Sequence, residues 1–101
     1  MIKWKLLRRS IPINIKLGRT TNYEVVFVED FKDGNTLGET RTEPNQIALL
    51  INQSDKKMIH TYLHEVLHAI SNTYEVGLTE EQVLKLEKAV YYILKPKNIF
   101  K

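Results

Sequence analysis

Ser54-Asp55-Lys56-Lys57-Met58-Ile59-His60-Thr61-Tyr62-Leu63-His64-Glu65-Val66-Leu67-His68-Ala69-Ile70 is the stretch on which the fold turns. Its apolar residues Ile59, Tyr62, Leu63, Val66, Leu67 and Ile70 return every three or four positions. That period gives an α-helix one continuous buried side. Ser54 can cap the first turn with its hydroxyl. The helix is expected to end near Ser71 or Asn72, with Gly77 as a permissive backbone point in the connection that follows.

The other side of the same helix is polar and carries His64-Glu65-Val66-Leu67-His68, an H-E-x-x-H pattern. Residues four apart lie one above the other on a helix, so both imidazoles can reach one metal ion. Glu65 stands about 100° around the cylinder from His64. It can therefore accept a proton from a metal-activated water without ligating the ion itself. Thr61 shares the polar side. His60 extends the histidines into a ladder, but its Cα lies about 12 Å along the axis from that of His68. One ion cannot serve all three, and His60 reads as a surface or supporting residue.

Toward the C-terminus, Thr79 and Gln82 make a capping-box pattern and Leu78 with Val83 a hydrophobic staple. A last helix follows, with Val83, Leu86, Val90 and Leu94 as its expected core stripe and Pro96 at or near its end. Toward the N-terminus the period changes to two. Residues 11–17 alternate as a first strand, with Pro12 tolerated only at its start or on an edge. Residues 23–28, rich in β-branched and aromatic side chains, form a second. Asp33-Gly34-Asn35 is turn chemistry. A short extended piece over residues 37–41 comes next, then a turn at Pro44-Asn45 and a compact apolar strand over residues 46–51. The fold class this predicts is α+β: a small antiparallel sheet, a metal-carrying helix packed on it, and a final helix delivering a third ligand.

With 101 residues, residues 1–101 make one domain with one core. An apolar share of 43% and a charged share of 27% are those of an ordinary globular chain, not of a disordered or fibrous one. There is no cysteine, so disulfides and thiolate metal sites are excluded and any metal must take nitrogen and oxygen ligands. The same absence fits a reducing cytoplasm. The first nine residues lack the unbroken apolar run of a signal peptide, and no segment is long enough to span a membrane. Net charge is +3, and Lys3, Lys5, Arg8, Arg9, Lys16 and Arg19 all precede the first acidic residue, Glu24. With only Trp4 interleaved and no nucleic-acid motif, this reads as a solvated basic face.

A catalytic zinc site takes three protein ligands and leaves the fourth position to water. After His68 the chain has no His, Asp or Cys, so a downstream ligand must come from Glu75, Glu80, Glu81 or Glu87. Helical phase turns Glu80 toward the core stripe and puts Glu87 within it, where a buried carboxylate needs a partner. The histidine block, taken with Gly38-Glu39, with Gln46-Ile47-Ala48-Leu49 and with residues 78–83, resembles the small phage and mobile-element metallopeptidase-like proteins, minimal zincins of the gluzincin type. The resemblance covers most of the chain from the second strand onward. The metzincin variant does not fit, because Ser71 and Tyr74 stand where it needs Gly and His.

That resemblance implies a zinc-dependent peptidase with His64, His68 and Glu81 as metal ligands, Zn2+ as cofactor, Glu65 as general base and a peptide or protein as substrate. Tyr74 or another tyrosine is a candidate for stabilising the oxyanion, and the strand over residues 46–51, if at a sheet edge, for holding an extended substrate. The alternatives are a zinc-binding regulatory or interaction module without proteolytic activity, or a metal-dependent RNA-processing nuclease. The nuclease reading lacks a third downstream histidine, and the intact Glu65 favours peptide chemistry.

Overall fold

The computed structural model describes residues 8–94. Lys3, Lys5 and Pro96, on which the basic front end and the expected helix stop partly rest, lie outside them. The elements described in full are β1 (Asn14–Lys16), β2 (Asn22–Val28), β3 (Gly38–Arg41), β4 (Gln46–Leu50), α1 (Asp55–Tyr74) and α2 (Glu80–Leu94). The class is α+β, as the two periodicities predict.

The sheet is mixed, not antiparallel as expected. Its order is β1-β2-β4-β3, with β1 antiparallel to β2, β3 antiparallel to β4, and β2 parallel to β4. After β2 the chain passes beyond the next position to make β3 at the edge, and β4 then returns between them. Burial explains the choice. Ile47, Ala48 and Leu49 are fully buried, and such an unbroken apolar run is best satisfied with strands on both sides. β4 is thus interior, and its expected role as an edge for substrate is ruled out by its two neighbours. The edge beside α1 is β3.

Register then aligns the core. Val25 pairs with Ile47 and Phe27 with Leu49, while Tyr23 pairs with Ile15. Tyr23, Val25, Ile47 and Leu49 form one cluster with Met58 and Ala69 of α1. Ile15, Leu17, Tyr62 and Val66 pack around it. On β3, Gly38 lies opposite Leu49 and Thr40 opposite Ile47, so these two share the α1-facing side of the sheet.

The helix ends follow the cap signals at one end and overrun them at the other. The Ser54 side chain accepts from the Lys57 amide at 3.2 Å. α1 continues past Asn72 to Tyr74 and closes with Glu75 in the left-handed region at φ 53°. The Ser71 carbonyl accepts from the Val76 amide, and its hydroxyl from the Leu78 amide. Gly77 follows at φ 72°. The capping box of α2 forms as predicted: the Thr79 amide donates to Gln82 Oε1 at 2.9 Å and the Gln82 amide to Thr79 Oγ1 at 3.1 Å.

The core stripe of α2 is narrower than expected. Val83 is fully buried, Val90 and Leu94 are half-buried, and Leu86 is 41% exposed. The line of α2 that meets α1 is instead Glu80, Val83, Glu87 and Tyr91, and half of it is acidic. Among the described residues, no helix is long and apolar enough to cross a membrane.

Candidate metal centre

α1 and α2 run antiparallel, because His60 pairs with Glu87 and His68 with Glu80. Three imidazoles at four-residue spacing on one helix face two carboxylates at seven-residue spacing on the other. Both spacings return to nearly the same angle on a helix. The side chains interdigitate into one ladder: His60 Nδ1 to Glu87 Oε2 at 2.8 Å, Glu87 Oε1 to His64 Nδ1 at 3.0 Å, His64 Nε2 to Glu80 Oε2 at 2.7 Å, and Glu80 Oε1 to His68 Nε2 at 2.9 Å. His60 also stacks on Tyr91 with ring centroids 4.2 Å apart.

The carboxylate beside His64 and His68 is therefore that of Glu80, where the resemblance pointed to Glu81. One ligand atom from each of His64, His68 and Glu80 lies within 4.8 Å of the others. Glu81 is 79% exposed at its side chain and faces Lys85 at 3.4 Å on its own helix. Phase is the reason. Glu80 is three residues before the buried Val83 and shares its side of the helix, whereas Glu81 is two before it and falls about 200° away. Glu75 caps α1 outside the group.

The donor set fits a divalent cation on chemical grounds. An ionised carboxylate only accepts, so each Nε2 that touches Glu80 at hydrogen-bond distance must present a proton or share a cation with it. Burial alone would push the His64 pKa down, but the hydrogen bond that the ring donates to Glu87 and the charges of Glu80, Glu65 and Glu87 outweigh it and raise the pKa above its ordinary 6.5. Two imidazoles and one carboxylate are also a zinc donor set of the catalytic kind.

Glu65 lies next to this group and is 8% exposed. Thr40 of β3 holds it: the Thr40 hydroxyl lies 2.7 Å from Glu65 Oε1 and 3.0 Å from the Glu65 carbonyl oxygen, and donates to them. The second carboxylate oxygen has no donor among the described residues. One side of the carboxylate is thus anchored to the sheet and the other is free. Thr61, read as a companion on the polar side, donates to Gln53 Oε1 at 2.9 Å and lies under β3.

Gly38 explains the close approach of strand and helix. A Cβ there would overlap the Thr61 methyl and lie 3.1 Å from Glu65 Cγ and 3.4 Å from the Ala48 carbonyl. A cavity of about 500 Å³ opens at this junction. Thr36, Leu37 and Gly38 line it on the sheet side, with His60, Thr61, His64, Glu65 and His68 from α1 and Glu80 and Glu87 from α2.

Other sequence expectations fall elsewhere. Tyr74 is 60% exposed, does not line the cavity, and donates its hydroxyl to the Leu17 carbonyl. Within the basic front end, Arg8 is tied down, donating to Gln53 O, Ile51 O and Asp55 Oδ1. Sequence reasoning missed Thr40, whose role depends on strand order. It also left Glu87 without its partners, although a seven-residue glutamate spacing against a four-residue histidine spacing was visible. In comparisons with known proteins, no family model matches the chain, and neither a similar curated protein nor a similar solved structure was found.

Proposed function

We propose that the chain is a small zinc-dependent metallopeptidase in which His64, His68 and Glu80 hold the ion and Glu65 is the general base. The observation that carries this reading is convergence: a two-imidazole, one-carboxylate group and a separate, half-anchored carboxylate share one cavity at a sheet edge. His64, His68 and Glu80 would hold a divalent ion there, and its Lewis acidity would acidify water and polarise a carbonyl.

The chain's own residues supply the remainder. Glu65, kept in place by Thr40, has a free oxygen to accept a proton from water and return it to the departing amine. Glu80 neutralises positive charge between the two imidazoles. Among the described residues β3 pairs only with β4, which leaves its outer backbone edge to an extended peptide, with Thr36, Leu37 and Gly38 at the cavity wall. Backbone pairing of this kind orients a substrate with little demand on its side chains.

The test is Glu65→Gln in zinc-loaded protein against a panel of peptides and denatured proteins. The variant should keep one equivalent of zinc and lose turnover, and an undiminished rate would remove Glu65 from the mechanism. A second reading, a metal-binding interaction module, draws on the 63% exposure of the Glu80 side chain, which leaves one donor largely in water. Stoichiometric zinc with no cleavage of any substrate would favour it.

A further inference from the structure

We propose that Glu87 is a positioning residue of the metal centre, locking His64 in the orientation that offers Nε2 to the ion and being locked in turn by His60. This inference rests on the metal-centre reading above and adds the residue that organises it.

The argument is one of donors and acceptors. An ionised carboxylate has no proton to give, so His64 Nδ1, at 3.0 Å from Glu87 Oε1, must be the protonated nitrogen. A cation shared with Glu80 would take the place of the proton that Nε2 otherwise presents to it at 2.7 Å, so with Nδ1–H held by Glu87 the lone pair offered to the ion is that of Nε2. A ring flipped by 180° would put a carbon against Glu87 and forfeit a charge-assisted bond in a half-buried place. The Glu87 side chain is only 13% exposed and the His64 side chain 17%, so water is a poor substitute.

Glu87 itself is held from its far side. Its Oε2 accepts from His60 Nδ1 at 2.8 Å, and the His60 ring is fixed by its stack on Tyr91. The order of constraint runs Tyr91, His60, Glu87, His64. It accounts for a buried carboxylate in a helix stripe that ought to be apolar, and for a third histidine that lies too far away to share an ion with His68. Carboxylates that orient metal-bound histidines typically contribute 10- to 100-fold in metal affinity.

The experiment measures zinc affinity by competition with a chromophoric chelator for the full chain and for Glu87→Ala, Glu87→Gln and His60→Gln. Helix content and denaturation midpoints are recorded on the same samples. Glu87→Ala should lose about 10- to 100-fold in affinity. Glu87→Gln, which keeps the shape but accepts from only one oxygen, should lose less. His60→Gln should lose least, because the Glu87–His64 bond remains. Should Glu87→Ala fail to fold, the near-isosteric Glu87→Gln carries the comparison.

A second readout separates positioning from mere stability. Histidine-selective 15N spectra of the zinc-loaded protein should show His64 ligating through Nε2 with a slowly exchanging Nδ1 proton. In Glu87→Gln that proton should exchange faster while the His68 pattern stays unchanged. Wild-type affinity in both Glu87 variants, or His64 ligation through Nδ1, overturns the proposal while leaving the metal centre intact. A wild-type chain that binds no zinc overturns the metal-centre reading itself.

Discussion

Replacing Gly38 with Ala tests whether the spacing between β3 and α1 controls the position of Glu65. The new methyl would overlap Thr61 Cγ2 and press on Glu65 Cγ at 3.1 Å. Carbon–carbon contacts settle near 3.5–4.0 Å, so Glu65 has to retreat by roughly half an ångström. Thr61 is 8% exposed and cannot swing freely, since its hydroxyl bonds Gln53 Oε1 at 2.9 Å. Overpacking of this kind costs about 1–3 kcal/mol. Relief of glycine's entropy in the unfolded chain returns about 0.5–1 kcal/mol, for a net loss on the order of 1 kcal/mol. In a domain of this size that lowers Tm by about 4–8 °C.

The functional effect of Gly38→Ala should exceed the stability effect, because displacement by a fraction of an ångström at a reacting group costs on the order of tenfold in turnover. Thermal unfolding with and without zinc, beside peptide hydrolysis at a temperature where both proteins are folded, gives the two numbers. A variant as stable and as active as the parent would refute the claim that strand and helix are in tight register at Glu65.

Glu80→Ala should abolish stoichiometric zinc binding, and Glu81→Ala should leave it unchanged with stability within about 0.5 kcal/mol of wild type; metal analysis after dialysis distinguishes them. In chelator, His64 contributes stability that is complete below its unfolded pKa of 6.5 and fades as pH rises through its raised folded value. The native state holds the proton more tightly there, so stability falls with rising pH. Denaturation midpoints of the metal-free protein should therefore drop more steeply between about pH 6 and 8 than those of His64→Gln.

Local sequence rules were sufficient for most of the elements. Ser54, Thr79 and Gln82 cap as their chemistry dictates, the expected strand over residues 23–28 becomes β2, and of the one expected over residues 11–17 only Asn14–Lys16 pairs as β1. α1 outran its expected end because Ser71 accepts from the backbone beyond Tyr74, a bond that depends on how the next segment turns. The apolar stripe of α2 failed for a different reason. Leu86 points outward, and Glu87 occupies the line that meets α1, where histidines wait for it.

His64, Glu65 and His68 were legible because their relation is internal to a single helix, where a period of 3.6 residues fixes direction in advance. Everything that crosses between elements had to await the tertiary structure. Strand order put β3, not β4, at the open edge and brought Thr40 to Glu65. The rotation of α2 about its own axis, set by burial of Val83, put the Glu80 carboxylate beside His64 and His68 and set Glu87 between two rings. A sequence carries helical period at every residue, but the angle at which one helix faces another is a property of packing and belongs to no single segment.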